Sequence, residues 1–139
     1  MQTPKNQNQA SQAQAKNRMI VLTTGGTIEK TYSEVEGSLE NRKSVLREKI
    51  IPRLRLPHTE IDVEEIMAKD SLHMTDQDRQ IIFEHVAPLA QLDRPILVIH
   101  GTDTMQLSAE YCFQRCQNVK VPVVFTGAMK PVGFEDSDA

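Results

Sequence analysis

The chain has 139 residues, a formal net charge of −3 and 39% hydrophobic residues, which is enough for one domain with a single core. Its first 18 residues contain eight Gln or Asn and no aliphatic side chain larger than Ala, a composition that predicts a disordered polar leader. Because this leader contributes +3, the other 121 residues carry −6, and that charge argues against a nucleic-acid-binding domain.

The remaining residues alternate between strand and helix patterns. Short apolar runs predict four strands, at residues 19–24, 59–67, 96–100 and 121–126. Helical spacing predicts three helices, at residues 45–54, 76–91 and 103–117. Pro52 should end or kink the first helix, and Thr75 with Asp78 forms an N-cap pattern for the second. The alternation predicts an α/β domain over residues 19–139, a parallel sheet with helices on both faces in a Rossmann-like or flavodoxin-like three-layer arrangement.

No segment has the pattern of a targeting signal or a metal site. The start lacks the apolar region of a secretory signal, and no later run approaches the roughly 18 apolar residues of a membrane span. We therefore expect a cytoplasmic protein that binds no membrane. Cys112 and Cys116 form no CxxC pair, and His73, His85 and His100 lack metal-ligand spacing, so reduced thiols and no metal are expected.

Three predicted strands end in a similar way. VLTTGGT, LVIHGTDT and VVFTGAM each pass from β-branched residues to a hydroxyl or imidazole group followed by glycine. The segment DSLHMT, after the second strand, adds Ser71, His73 and Thr75. Because the carboxyl ends of parallel strands meet at one edge of a sheet, we expect these side chains in one ligand-binding crevice.

The turn after the first strand is the first catalytic candidate. Gly25 and Gly26 allow positive φ and a close approach to a bound group, and the N–H groups of such a turn can hold a carbonyl oxygen that becomes negative. The Thr27 hydroxyl follows directly and would lie beside that site as a nucleophile. A plain tight turn is equally compatible, whereas a phosphate loop is disfavoured because no GK[ST] follows and the glycine spacing misses the dinucleotide fingerprint.

The turn after the third strand is the second candidate. Thr102 and Asp103 supply a hydroxyl and a carboxylate that could orient water or receive an ammonium group. Asp103 or Thr104 could instead be a helix N-cap, and Ser71 could belong to an ordinary turn. Lys130 is either a basic group at the crevice or a solvated loop lysine.

Four segments in this order, TTGGTI, DSLHMT, HGTDTM and FTGAMKP, resemble the N-terminal domain of the L-asparaginase family of amidohydrolases. KDSLHMT is most similar to the bacterial type I, cytosolic branch. The resemblance covers residues 19–139 and implies hydrolysis of L-asparagine to L-aspartate and ammonia without a cofactor. It also implies a homodimer and a smaller C-terminal domain, which this sequence does not contain.

The resemblance assigns a role to each matching residue. Thr27 would attack the side-chain amide and form an acyl-enzyme, beside a substrate site shaped by Gly26. Ser71 would bind the substrate α-carboxylate, and Asp103 would pair with the α-ammonium group. Thr102 would belong, with Asp103 and a lysine, to a second hydroxyl centre that also contacts substrate.

Two features depart from the family pattern. Tyr32 is the candidate for the tyrosine that family members carry in a mobile loop after TGGTI, but it lies closer to Thr27 than that tyrosine usually does. The family's catalytic lysine comes several tens of residues after TGAM, beyond Ala139. Since Ser137 and Asp138 also have the pattern of a helix N-cap, we expect the sequence to be a fragment or a shortened homologue.

Three functions remain open at this stage. The first is an asparaginase-type amidohydrolase, the second a non-catalytic domain that binds an amino acid in the same crevice, and the third the amide-hydrolysing part of an amidotransferase. The partner in each case is a small molecule, L-asparagine or L-glutamine. The sequence does not separate these two because one methylene is worth only about 1–3 kcal/mol of selectivity.

Overall fold

The computed structural model describes residues 16–33, 38–40 and 44–139. Most of the predicted disordered leader, residues 1–15, therefore lies outside the described residues. Its last two residues belong instead to the first strand, where Asn17 pairs with Thr59 and the Arg18 guanidinium lies 3.1 Å from the Asp62 carboxylate. These cross-strand partners extend the strand beyond its apolar residues.

A four-stranded, all-parallel sheet forms the centre of the domain. Its strands are β1 (Asn17–Thr23), β4 (Thr59–Glu65), β5 (Ile96–Ile99) and β6 (Val123–Thr126), and a separate antiparallel pair consists of β2 (Thr31–Ser33) and β3 (Ser38–Glu40). The order in the large sheet is β4-β1-β5-β6. The chain leaves β1 toward one edge and then crosses back to β5 on the other side. In an open α/β sheet, this reversal between β1 and β5 marks the ligand crevice at the carboxyl ends of the strands.

Alternate strand residues build two cores, one on each face of the sheet. The first core consists of Ile20, Leu22, Met74, Ile82, Val86, Ala90, Ile96, Val98 and Cys112. It is covered by α1 (Asp76–Leu89) and α2 (Met105–Arg115). The second core consists of Val21, Ile28, Leu46, Ile99 and Ala128. Both faces are therefore covered, which confirms the predicted α/β architecture.

The second face is covered by short helical turns where the sequence predicts one helix at residues 45–54. A π-helical turn, Leu46–Ile50, runs into a 3-10 turn, Ile51–Arg53. Pro52 has no N–H group, so it cannot continue the hydrogen-bond ladder of an α-helix. The apolar spacing still has its predicted effect, because Leu46 is buried and Ile50 packs beside it.

The two α-helices lie within the predicted ranges and are shorter by a few residues. The predicted N-cap of α1 is confirmed as a capping box, in which the Thr75 N–H donates to Asp78 Oδ2 (2.7 Å) and the Asp78 N–H donates to Thr75 Oγ1 (3.4 Å). Pro88 lies inside α1, one residue before its end, and has no N–H group to donate to the carbonyl of Glu84. Of the helices within the described ranges, none has the length and apolar character needed to cross a lipid bilayer.

Ser137 and Asp138 have the sequence pattern of a helix N-cap, but Asp138 caps a turn instead. The Asp138 carboxylate accepts the N–H groups of Met129 (2.9 Å) and Lys130 (2.8 Å), and these hydrogen bonds lower the pKa of Asp138. Asp138 thus caps the turn that follows β6. The Lys130 side chain is exposed and pairs with Asp136, as expected of a solvated loop lysine.

Candidate active site

The end of β1 contains three threonines with different environments. Thr23 is the last residue of the strand and is buried. Thr24 is completely buried, and both its N–H (3.0 Å) and its hydroxyl (2.8 Å) donate to the Ile99 carbonyl at the end of β5. The Thr24 hydroxyl therefore ties two strand ends together. Thr27 is half-buried and begins the 3-10 turn Thr27–Glu29.

Gly25 and Gly26 are required by both their dihedral angles and their neighbours. Gly25 has φ 103°, and a Cβ there would lie 2.5 Å from the Lys69 nitrogen, after β4. Gly26 has φ 85° and ψ −177°, and a Cβ there would lie 2.5 Å from the Gly101 nitrogen, after β5. Only glycine adopts the Gly26 conformation readily. This turn thus lies in close backbone contact with the ends of both neighbouring strands.

The same close packing continues to the other strand ends. A Cβ at Gly101 would lie 2.5 Å from Ser71 Oγ, and one at Gly127 would lie 2.2 Å from the His100 carbonyl oxygen. Gly26 thus packs on Gly101, and Gly101 packs on Ser71, at the point between β1 and β5 where the strand order reverses. The structure brings two predicted site residues, Gly26 and Ser71, together with Gly101, which directly precedes the predicted Thr102, at the carboxyl edge.

The turn that contains Thr27 is held by backbone hydrogen bonds and by the buried side chain of Glu29. Glu29 and Lys30 donate their N–H groups to the carbonyls of Gly26 and Thr27, both at 3.1 Å. The Glu29 side chain is 5% exposed, and its carboxylate accepts the N–H groups of Val45 (3.0 Å) and Leu46 (3.1 Å). Burial raises the pKa of Glu29, and these two donors oppose the shift. Thr27 therefore follows two constrained glycines and precedes a fixed acidic residue.

Ser71 has the properties expected of a ligand-binding hydroxyl. It is 1% exposed and begins the 3-10 turn Ser71–His73, whose N-cap Asp70 accepts the Leu72 N–H at 3.0 Å. Within the described part of the chain, Ser71 Oγ has no hydrogen-bond partner. A buried hydroxyl without a partner costs roughly 1–3 kcal/mol, so an unpaired one at a strand end is a candidate contact for a ligand.

Thr102 and Asp103 are exposed in the loop between β5 and α2, directly after Gly101. Thr104 occupies the N-cap position of α2, but its side chain makes no capping hydrogen bond. Its hydroxyl donates instead to the Ser71 carbonyl at 2.7 Å. The N-cap interpretation therefore applies to the backbone of Thr104 and not to Asp103, which is exposed to solvent.

Tyr32 lies in β2, opposite Leu39 of β3. Its side chain falls outside the described residues, so its place relative to Thr27 stays a prediction. The His100 imidazole, which the strand-end pattern predicts at the crevice, is instead buried inside the domain. Its fully buried ring lies 2.7 Å from both the Gly101 carbonyl oxygen and Ser108 Oγ.

The described residues contain no group of three His, Cys, Asp or Glu side chains that could hold a metal ion. Cys112 lies in the first core, where burial raises the pKa of its thiol to about 12. A thiol with this pKa is protonated at neutral pH and is a poor nucleophile. The described groups suited to nucleophilic chemistry are therefore the hydroxyls at the carboxyl edge of the sheet.

Comparison with known proteins agrees with this arrangement. Residues 18–139 match the family model described as asparaginase, N-terminal. L-asparaginase 1 of Escherichia coli is 31% identical over 128 residues, and a glutamyl-tRNA(Gln) amidotransferase subunit of Pyrobaculum aerophilum is 32% identical over 124 residues. Each alignment covers 88% of this chain, but only 37% and 29% of the respective relative.

A solved structure shows the same fold. The thermostable L-asparaginase from Thermococcus kodakarensis superposes with a TM-score of 0.75 at 28% identity, over 87% of this chain and 37% of that one. The present chain thus spans little more than a third of the length of these asparaginases. The family match covers nearly all of it, and the chain therefore belongs to the asparaginase family, whose N-terminal domain it comprises.

Proposed function

We propose that this domain supplies the nucleophile and the substrate-recognition groups of an L-asparagine amidohydrolase. The observation that carries the proposal is the packing of Gly26 on Gly101 and of Gly101 on Ser71. Thr27 follows the first of these glycines, and Thr102 and Asp103 follow the second. Because these residues follow neighbouring turns, we expect the Thr27 hydroxyl, the proposed nucleophile, to share one crevice with the Thr102 hydroxyl and the Asp103 carboxylate.

In the proposed first step, Thr27 Oγ attacks the side-chain carbonyl carbon of asparagine. The C–N bond breaks, the threonine proton is transferred to the leaving nitrogen, and ammonia and an acyl-enzyme ester are formed. In the second step, water attacks the ester and releases aspartate and the free threonine. Within the described residues, the N–H groups of Gly26 and Thr27 make no backbone hydrogen bond, so they are suited to stabilising the negative carbonyl oxygen.

Recognition of the amino-acid end would use a neutral hydrogen-bond donor and a carboxylate. The unpaired Ser71 hydroxyl would donate to the α-carboxylate, and Asp103 would accept from the α-ammonium group. Thr102 lies beside Asp103 and would form the second hydroxyl centre, which the family resemblance completes with a lysine. The proposed activity therefore concerns a protein that contains this domain together with that lysine.

The test is ammonia release from L-asparagine by a chain extended to the length of its relatives. Thr27→Ala should reduce the rate at least ~10³-fold, as loss of a nucleophile does in comparable enzymes, while Thr27→Ser should retain measurable activity. Thr59→Ala is the matched control, because Thr59 lies at the opposite end of β4. A folded extended protein that releases no ammonia from asparagine or glutamine would refute the proposal.

Two alternatives have specific support. The buried, unpaired Ser71 hydroxyl is also compatible with amino-acid binding without turnover, which predicts thermal stabilisation by millimolar aspartate together with no ammonia release. The similarity to an amidotransferase subunit supports a role in amide hydrolysis for a partner, which predicts that ammonia release depends on a second protein. Measuring binding and turnover on the same preparation separates these alternatives from the leading proposal.

Three further parts of the proposal come from the family resemblance: a cytoplasmic location, a homodimer, and a C-terminal domain that follows residues 19–139 in the longer protein. The polar composition adds a division from a disordered leader, which we shorten from the predicted residues 1–18 to residues 1–16 because Asn17 and Arg18 belong to β1. Cell fractionation and sedimentation of the extended protein test the first two. Limited proteolysis tests the division, because a disordered leader should be removed first.

A further inference from the structure

His100 is the only histidine among the described residues that is completely buried, and both of its ring nitrogens have partners. It follows β5 directly and lies under the loop that leads to Thr102 and Asp103. Nδ1 lies 2.7 Å from the Gly101 carbonyl oxygen, and Nε2 lies 2.7 Å from Ser108 Oγ in the first turns of α2. The ring therefore connects the end of β5 to α2 through two short hydrogen bonds.

The chemistry of these partners fixes the position of the ring proton. A carbonyl oxygen can only accept, so Nδ1 must carry the proton and donate it to Gly101. Nε2 then has a lone pair and accepts from the Ser108 hydroxyl. Burial lowers the pKa of His100, the hydrogen bond to Gly101 opposes this shift, and the charge of Arg79 adds to it, so the net shift is downward and favours a neutral ring.

The carbonyl that His100 holds belongs to the peptide bond between Gly101 and Thr102. The Gly101 nitrogen lies under Gly26, and its Cα lies beside Ser71 Oγ. A rotation of this peptide would change the direction of Thr102 and Asp103, whereas the Gly101 nitrogen and Cα would stay packed against Gly26 and Ser71.

We propose that His100 is a positioning residue, and that its neutral Nδ1–H tautomer, fixed by Ser108, holds the Gly101–Thr102 peptide and so places Thr102 and Asp103 at the crevice. The role of that placement in ligand binding rests on the proposed function. The tautomer and the hold on the peptide do not, because they concern contacts within this chain. The inference can therefore be tested in two independent ways.

The first test needs no ligand. In a protein labelled with ¹⁵N-histidine, long-range ¹H–¹⁵N correlations at neutral pH should show His100 as the Nδ1–H tautomer. An Nε2–H tautomer, or a doubly protonated ring, would overturn the inference whether or not the chain binds an amino acid.

The second test uses two substitutions that preserve different halves of the ring. The amide nitrogen of an Asn side chain lies close to the position of Nδ1, whereas that of Gln lies close to Nε2. His100→Asn should therefore keep the donor to Gly101, and His100→Gln should lose it while filling more of the buried volume. If His100 is a positioning residue, His100→Asn should bind the ligand more tightly than His100→Gln, whereas His100→Gln should be the more thermally stable variant.

Affinity for L-aspartate is measured by calorimetry on the chain as it exists. We expect His100→Asn to stay within about threefold of the wild type and His100→Gln to weaken binding by tenfold or more, although Gln should melt at the higher temperature. Equal affinities, or affinities that follow the melting temperatures, would show a purely structural role. If the wild-type chain binds no aspartate, the proposed function fails on this domain. The inference about His100 is then decided by its tautomer and by the amide chemical shifts of Thr102 and Asp103 in both variants.

Discussion

Gly26→Ala is the substitution that most directly tests the geometry of the strand ends. Gly26 has φ 85° and ψ −177°, a region that non-glycine residues occupy at a cost of roughly 1–3 kcal/mol. The new methyl group would also lie 2.5 Å from the Gly101 nitrogen and 2.7 Å from its Cα, and overpacking of this kind costs about 1–3 kcal/mol. Both atoms belong to the backbone, so a side-chain rotation cannot relieve the overlap. We expect a loss of about 2–6 kcal/mol in the free energy of unfolding.

Two further glycines provide matched controls that separate the dihedral cost from the overlap. Gly101 has no positive φ, and a Cβ there would meet Ser71 Oγ at 2.5 Å, so Gly101→Ala tests overlap alone. Gly133 has no positive φ and no atom within 4 Å of a built Cβ. Gly133→Ala should therefore be neutral, or more stable by about 0.4–1 kcal/mol through the loss of unfolded-state entropy.

The assay is urea unfolding followed by circular dichroism, with the denaturant slope m compared between variants. Small domains are stable by only about 5–15 kcal/mol. Gly26→Ala should therefore remove a large part of the free energy of unfolding, and Gly101→Ala should remove a smaller part. The reasoning would be refuted if Gly26→Ala unfolded within about 0.5 kcal/mol of Gly133→Ala at an unchanged m, since the close contact with Gly101 could not then exist.

Two smaller predictions concern hydrogen bonds outside the crevice. Thr75→Ala should lower the free energy of unfolding by about 0.5–2 kcal/mol through loss of the cap to Asp78, and Thr75→Ser should restore most of it; equal midpoints in urea would contradict the capping role. Glu29→Ala should cost about 2–5 kcal/mol because it leaves the N–H groups of Val45 and Leu46 without an acceptor. Since the pKa of folded Glu29 lies above its ordinary value of 4.5, the wild type should gain stability relative to Glu29→Gln as the pH falls from 7 towards 4.5, and a pH-independent difference would refute the shift.

The sequence was sufficient to predict the sheet because the strand signals are local. Each of β1, β5 and β6 is an almost continuous apolar run that needs two covered faces, and the intervening helices force parallel pairing. The capping box at Thr75 is likewise contained within four residues. Errors occur where distant partners decide the outcome, as at Asn17 and Arg18, whose strand conformation depends on pairing with β4 and not on their own polar side chains.

The candidate site was predictable only in part for the same reason. The hydroxyls and glycines follow strands, so their shared edge follows from topology. The partner of each hydroxyl does not, because Thr104 binds the Ser71 carbonyl across 33 positions and Glu29 caps a turn 16 and 17 positions away. The strand-end pattern predicts the His100 imidazole at the crevice, but it does not reveal that the ring is buried and hydrogen-bonded to Gly101 and to Ser108, eight positions away.

The composition of the β1 turn follows from these separate requirements. Thr24 uses its hydroxyl to bind the β5 carbonyl, so it cannot serve as a nucleophile without breaking the contact that aligns the two strand ends. Thr23 is buried within the strand. The two glycines reverse the chain direction and pack against neighbouring backbones, and they leave Thr27 as the first hydroxyl beyond the buried edge. Under the proposed function, Thr24 and Thr27 therefore have separate roles on the two sides of the glycines: Thr24 holds the strand ends together, and Thr27 is the nucleophile.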